Sequence, residues 1–223
     1  MKKFIFRILI LFCTGVLSAN AAVINSAQHG EFQEYINKTG FALLNYNEIE
    51  HHIIFKYSNR NKLRGKVNYK DMSVTIPKGI LYNVESEDEL AAVIAHYSAY
   101  CVMSKYSNFS ALNIKTAPKK YETLADKLAV DMLVKAHYSP LALITMINKT
   151  YGDKNSCGHV KTSVRLANIY EYITVKYPLE ADKFRFKNNI YYQNFLLTSR
   201  KNREILQEKL QKKPTDQIKN KYR

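Results

Sequence analysis

A mostly apolar segment with a single histidine, Leu90–Tyr100, lies near the middle of the chain and reads LAAVIAHYSAY. Just before it, Ser86 and Glu89 have the spacing of a capping box, in which two side chains satisfy backbone N–H groups at a helix start. This pattern predicts a helix that begins at Glu87 and runs past Tyr100. A lone histidine on a mostly apolar helix is most often a hydrogen-bonded core residue, so this one alone indicates no function.

The composition of the 223-residue chain, 46% apolar and 12% aromatic, indicates one folded domain and excludes overall disorder. We predict a domain over 22–182, followed by a basic tail over 183–223 that is partly helical and has a disordered end. Apolar periodicity and turn signals predict the elements around the central helix. These are helices at Glu31–Leu44, Lys119–Ala136, Pro140–Tyr151 and Thr162–Lys176, and strands at His52–Tyr57 and Met72–Ile76.

The first residues have the pattern of a secretory signal peptide. Met1–Arg7 is basic, Ile8–Leu17 is apolar, and Ala19–Ala21 has the small-x-small pattern at which signal peptidase cuts. The apolar run is about half as long as a membrane-spanning helix requires, which favours cleavage over an uncleaved anchor. We therefore predict that 1–21 is removed and that the protein is periplasmic or secreted, free or associated with a membrane.

The net charge of +15 would indicate a nucleic-acid partner in a cytoplasmic protein. Export removes the chain from that compartment, so we predict no nucleic-acid partner. Much of the charge lies in the tail, where Lys176–Arg223 contains thirteen Lys or Arg and five acidic residues. Basic groups near an anionic membrane each contribute about 1 kcal/mol, so an anionic membrane surface is a candidate partner of the tail. A solvated end is the alternative.

The central helix carries part of a metal-binding pattern. Residues four apart on a helix lie one above the other, so a histidine pair at this spacing can hold zinc, with a glutamate after the first histidine to deprotonate its water. In this chain His96 is followed by Tyr97 and then by Tyr100 at those positions. On the next predicted helix, Glu122 and Asp126 form an ExxAD pattern that places two carboxylates one turn apart.

These segments occur in a characteristic order: EDELAAVIAH, then ETLADKLAVDMLVKAHYSP, then Gly158-His159 and Arg165. The arrangement resembles the family-48 zinc metallopeptidases, the gluzincins of the HtpX, BepA and CAAX prenyl protease type. The resemblance covers most of the predicted domain. It implies an α+β, zincin-like domain that is mainly helical with a small, mostly antiparallel sheet. It also implies that Met72–Ile76 is an edge strand above the active site, to which an extended polypeptide could pair; an ordinary sheet strand is the alternative.

The resemblance also implies a role for each matching residue. His96 would be the first zinc ligand and Glu122 the third, while Asp126 would orient His96. His159 and Arg165 match the late active-site histidine and the arginine that follows it. Val160 stands where the family usually has proline, which weakens the placement of His159.

The two tyrosines on the central helix are the main departures from the family pattern. Tyrosine has a reference pKa of about 10, so Tyr97 is a poor general base where the family has glutamate. Tyr100 replaces the second ligand and could bind zinc only as a phenolate, which the metal itself would have to generate. A zinc site would then use His96, Glu122 and either Tyr100 or His159. Alternatively, both tyrosines fill the former cavity, and zinc, the only cofactor that the resemblance implies, is not bound.

Three functions remain open, and we favour the first. It is a catalytically inactive pseudopeptidase that binds extended or misfolded envelope proteins as a chaperone or adaptor. The second is an active zinc metalloendopeptidase with unusual ligands, acting in envelope protein quality control. The third is a membrane-surface scaffold that acts through the basic tail.

Two cysteines remain after the predicted cleavage, in a compartment that permits disulfides. Cys101 directly follows Tyr100, and Cys157 lies two residues before His159. A bridge between them would tie a late loop to the end of the central helix. Two buried thiols are the alternative.

Overall fold

A computed structural model describes residues 30–50, 52–106, 118–152, 161–181, 186 and 188–211. The predicted signal peptide, Cys157, His159 and the last part of the predicted tail lie outside them. The described part is mainly helical with a small sheet, which confirms the α+β class.

The sheet has three strands, β1 (Ile54–Ser58), β2 (Lys66–Asn68) and β3 (Ser73–Pro77), in the order β1-β3-β2. β1 pairs with β3 in parallel, with Ile54 opposite Ser73, whereas β2 pairs with β3 antiparallel. The prediction of a mostly antiparallel sheet is therefore wrong, because the longer strand pair, β1 with β3, is parallel. The prediction that Met72–Ile76 forms the edge strand is also wrong, since β3 is paired on both sides and the short β2 lies at the edge.

This topology depends on how the chain crosses from β1 to β2. Residues 59–65 carry it past the carboxyl end of β3 and pack against Gly79, two residues after that strand ends. A Cβ atom at Gly79 would lie only 2.6 Å from the carbonyl oxygen of Lys62. Glycine thus permits the close backbone approach that the crossing needs.

The helices account for most of the described residues. The first, α1, covers 30–46, and α2 (Lys78–Leu81) is a single turn after β3. The remaining helices are α3 (Glu87–Tyr106), α4 (Pro118–Lys135), α5 (Leu141–Tyr151), α6 (Thr162–Lys176), α7 (Pro178–Ala181), α8 (Ile190–Thr198) and α9 (Arg200–Gln211). None of them is both long enough and apolar enough to cross a membrane.

The central helix α3 begins at Glu87, as the sequence predicts, and the Ser86 hydroxyl accepts a hydrogen bond from the Glu89 N–H at 3.3 Å. The reciprocal bond differs from the predicted capping box. The Glu89 carboxylate accepts from the N–H of Glu85, one residue earlier, and also pairs with the buried Lys149 at 2.8 Å. This ion pair joins the start of α3 to the end of α5.

α3 packs against α4, α5 and the sheet, so it is enclosed on several sides. This environment explains why its sequence is apolar around most of its circumference rather than along one stripe. Eight of its side chains are completely buried: Leu90, Ala91, Ala92, Ile94, Ala95, Ser98, Ala99 and Cys101. The four alanines allow the neighbouring elements to approach closely.

Helix α8, in the predicted basic tail, packs into the same core. Its start is capped by the Asn189 side chain, which accepts hydrogen bonds from two backbone N–H groups of the first turn. Phe195 is 2% exposed, and its ring centroid lies 5.4 Å from that of Tyr170 in α6. The Asn148 side chain in α5 donates a hydrogen bond to the Tyr191 carbonyl at 2.8 Å. The opposite face of α8 is solvent-exposed.

Candidate functional site

Four side chains that the sequence singles out meet in one buried cluster. His96 comes from α3, Glu122 and Asp126 come from α4, and Arg165 comes from α6. The spacing of four residues places the two carboxylates on the same face of α4, which packs between the other two helices. Each of the four residues is at most 9% exposed.

The guanidinium of Arg165 lies at the centre of this cluster. Its Nε and Nη2 atoms donate to the two carboxylate oxygens of Asp126 at 2.8 and 2.7 Å, which is a bidentate pair. Its Nη1 atom lies 2.9 Å from Glu122 Oε1, and its Nη2 atom lies 3.2 Å from His96 Nε2. One permanent cation therefore contacts both carboxylates and the imidazole.

Asp126 also holds the imidazole of His96. The Nδ1 atom of His96 lies 3.0 Å from Asp126 Oδ1. This contact favours the tautomer with the proton on Nδ1, which leaves Nε2 as an acceptor facing Arg165. Burial alone would raise the pKa of the Asp126 carboxyl, but Arg165 and His96 outweigh burial and hold that pKa below its usual value. Asp126 is therefore a charged hydrogen-bond acceptor in the folded protein.

The two tyrosines of α3 flank the imidazole. The ring centroids of Tyr97 and Tyr100 lie 5.3 and 5.4 Å from that of His96, both in edge-to-face geometry. The Tyr97 hydroxyl accepts a hydrogen bond from the Gly65 N–H at 2.7 Å. Burial, together with the charges of Glu122 and Asp126, raises the pKa of Tyr100 far above its ordinary value. Tyr100 is therefore a neutral phenol over the whole physiological pH range.

A cleft of about 350 Å³ opens above this cluster. α3 forms its floor with four side chains spaced along the helix: Val93, His96, Tyr97 and Tyr100. One wall is the segment from Leu63 to Tyr69, which includes β2, and the other is the face of α5 that carries Leu143, Met146 and Ile147. The cleft thus joins an apolar wall, an aromatic floor and the charged cluster.

The contacts of Arg165 oppose zinc binding by the described ligand candidates. No group of three or more His, Cys, Asp or Glu side chains among the described residues is arranged to hold a metal. The implied ligands His96 and Glu122 are both contacted by Arg165. The guanidinium donates its fork of N–H groups to the same carboxylates and supplies one positive charge to them.

Two other predicted features lie partly outside the described residues. His159 is not described, so its predicted place in the site stays a prediction. Cys101 is fully buried and forms no disulfide with a described residue, and burial raises the pKa of its thiol to about 12. Its predicted partner, Cys157, is not described. The disulfide stays a prediction, and nothing in the described part of the chain favours it.

Comparisons with known proteins found no family model, no curated protein and no solved structure that matches the chain. The resemblance to the family-48 peptidases therefore remains a prediction that rests on the motifs in the sequence.

Sequence reasoning missed the wall of the cleft that contains Gly65 and β2. β2 is only three residues long, and a strand this short has no alternation that could be recognised in the sequence. The available signal was Gly65 itself, because an isolated glycine next to a strand often marks a close approach. A Cβ atom at this position would lie 2.7 Å from the Tyr97 ring.

This contact makes Gly65→Ala a direct test of the cleft wall. We expect the substitution to lower the free energy of unfolding by about 1–3 kcal/mol, because the added methyl group displaces the ring or the wall. The effect should be smaller in a Tyr97→Leu background, which lacks the ring atoms that clash, and urea denaturation of all four proteins measures the difference. Gly30→Ala is the control, since a Cβ atom there meets nothing within 4 Å. Equal losses in both backgrounds would contradict the Tyr97 contact.

Proposed function

We propose that the protein is an exported, inactive relative of the family-48 zinc metallopeptidases that binds extended segments of misfolded envelope proteins. The observation that carries this proposal is a cleft of about 350 Å³ that lies beside a sheet edge but has tyrosine at the positions of the catalytic base and second ligand. The scaffold and the groove are retained, whereas the groups that activate water are replaced.

The side chains on the floor of the cleft support the proposed loss of peptide hydrolysis. A general base must be able to take a proton from water near neutral pH, which a phenol with an ordinary pKa of about 10 does poorly. The Tyr97 hydroxyl is also an acceptor for the Gly65 N–H, which ties it to the cleft wall. The Glu122 carboxylate pairs with Arg165 at 2.9 Å, so it already has a cationic partner within the protein.

The edge of the sheet supports binding of an extended polypeptide. Among the described strands, β2 has a neighbour on one side only, and Val67 in β2 lines the cleft. An edge strand offers backbone N–H and C=O groups to a segment that adds to the sheet, largely independently of the sequence of that segment. Misfolded proteins expose such segments in many different sequences.

The size and lining of the cleft define the kind of segment that it can hold. Val93 and Tyr100 are seven residues apart on the floor, which corresponds to about 10 Å along a helix and therefore to about three residues of extended chain. The α5 wall is apolar, and Met146 can adapt its flexible side chain to different partners. We therefore expect segments with at least one large apolar side chain to bind best.

Binding of a labelled model peptide tests this proposal. The probe is a short, fluorescein-labelled peptide rich in Val, Leu and Phe, and its anisotropy is measured with the mature protein. We expect saturable binding that weakens about tenfold or more when alternate peptide amides are N-methylated, because methylation removes the hydrogen bonds of strand addition.

A matched pair of variants tests whether the peptide binds in the cleft. Val67→Trp fills the cleft at a half-buried position of β2, and we expect it to weaken binding about tenfold or more. Leu197→Trp adds the same ring at an exposed position of α8 and should bind like the parent. Equal binding by both variants would place the peptide elsewhere. Cleavage of the peptide that a chelator abolishes would favour the active metalloendopeptidase instead.

A further inference from the structure

We infer that Arg165 is the built-in cation of the buried cluster and that its guanidinium excludes divalent metal ions from the space between His96 and Glu122. This inference rests on the geometry of the cluster and not on peptide binding, so it stands or falls separately from the proposed function. If the inference holds, Tyr97 and Tyr100 are not the only residues that prevent metal binding. Replacing them with conventional residues leaves Arg165 in place.

The hydrogen bonds of Arg165 match its donors to the available acceptors. Nε and Nη2 bind the two oxygens of Asp126, Nη1 pairs with Glu122, and Nη2 also contacts His96 Nε2. A guanidinium presents its donors in a planar fork and stays charged at every physiological pH. Both carboxylates therefore share one positive charge, and the group that carries it cannot dissociate from the chain.

A metal ion would need the same acceptor atoms. Zinc binds imidazole nitrogen and carboxylate oxygen at about 2.0–2.2 Å. An ion at this distance from His96 Nε2 and Glu122 Oε1 would compete with Arg165 atoms that lie 3.2 and 2.9 Å from the same two acceptors. Because the cluster is buried, water would screen the repulsion between zinc and guanidinium only weakly. The Arg165 side chain thus occupies the acceptor atoms that a metal ion would need.

Zinc binding by four forms of the mature protein tests the inference. They are the parent, the double variant Tyr97→Glu/Tyr100→His, the same double variant with Arg165→Met, and the double variant with Arg165→Lys. Zinc affinity is measured by competition with a colorimetric chelator. We expect only the Arg165→Met form to bind one zinc ion per chain, at least about a hundredfold more tightly than the double variant. Arg165→Lys keeps the positive charge and should stay as weak as the double variant.

Two results would overturn the inference. If the double variant with Arg165 intact binds zinc as tightly as the Arg165→Met form, the guanidinium does not exclude the metal. If the Arg165→Met form is unfolded without metal, circular dichroism during a zinc titration decides, because metal binding and folding are then coupled. Folding on addition of zinc supports the inference, whereas a chain that stays unfolded at saturating zinc contradicts it.

Discussion

We expect Arg165→Met to lower the free energy of unfolding by about 3–5 kcal/mol, the usual range when one partner of a buried ion pair is removed. The reason is the environment of the two carboxylates. Asp126 and Glu122 are 2 and 3% exposed, and Arg165 is within hydrogen-bonding distance of both. Methionine keeps much of the aliphatic stem but leaves the two acids without their buried cation.

Urea denaturation of the mature protein measures this effect. Lys56→Met is the control, because Lys56 pairs with Asp71 at 3.0 Å on the surface, and such exposed pairs contribute about 1 kcal/mol or less. A double-mutant cycle separates charge from packing: in a Glu122→Gln/Asp126→Asn background, Arg165→Met should be much less destabilising. A similar loss in both backgrounds would show that Arg165 acts through packing alone.

Phe195→Ala should have an effect of similar size, about 3–5 kcal/mol, because it removes a buried aromatic ring and leaves a cavity. Phe195 lies in α8, within the segment that the sequence assigns to a basic tail. Its ring packs on Tyr170 of α6 and near Tyr192 of its own helix. The result therefore tests whether the domain core extends beyond the predicted boundary at 182.

Leu197→Ala is the matched control for Phe195→Ala. Leu197 lies in the same helix but is 76% exposed, so its truncation should change the free energy of unfolding by no more than about 0.5 kcal/mol. Thermal and urea unfolding of the two variants can be compared directly. Comparable values for both would mean that α8 is not anchored through Phe195.

The helices around the site could be predicted because their signals are local. Ser86 marks the start of α3 through its side-chain hydroxyl, and α6 covers Thr162–Lys176 as the apolar spacing predicts. The ExxAD spacing also predicted that Glu122 and Asp126 share a helix face. Each of these features is decided within a few residues of chain.

The sheet and the centre of the cluster depend instead on contacts between residues that are far apart in the sequence. The parallel pairing of β1 and β3 requires a crossing connection that packs on Gly79, and no short pattern encodes this arrangement. Arg165 was predicted as one of the residues around the site, but its contacts reach Asp126 and His96, which are 39 and 69 residues away. Its position between the carboxylates is a property of how α3, α4 and α6 pack.

The wall of the cleft has a consequence for the entropy of binding. The chain is fixed just before the wall at the Lys62 carbonyl, which lies against Gly79. The wall itself is fixed at the Leu63 carbonyl, which accepts a hydrogen bond from Tyr151, and at Gly65, whose N–H donates to Tyr97. A wall held in this way loses little conformational entropy when a segment binds. Nearly all of the conformational entropy cost of binding therefore comes from the ligand. Among segments with equal apolar contacts, the cleft should therefore favour those whose residues are already extended before they arrive, such as runs of β-branched residues.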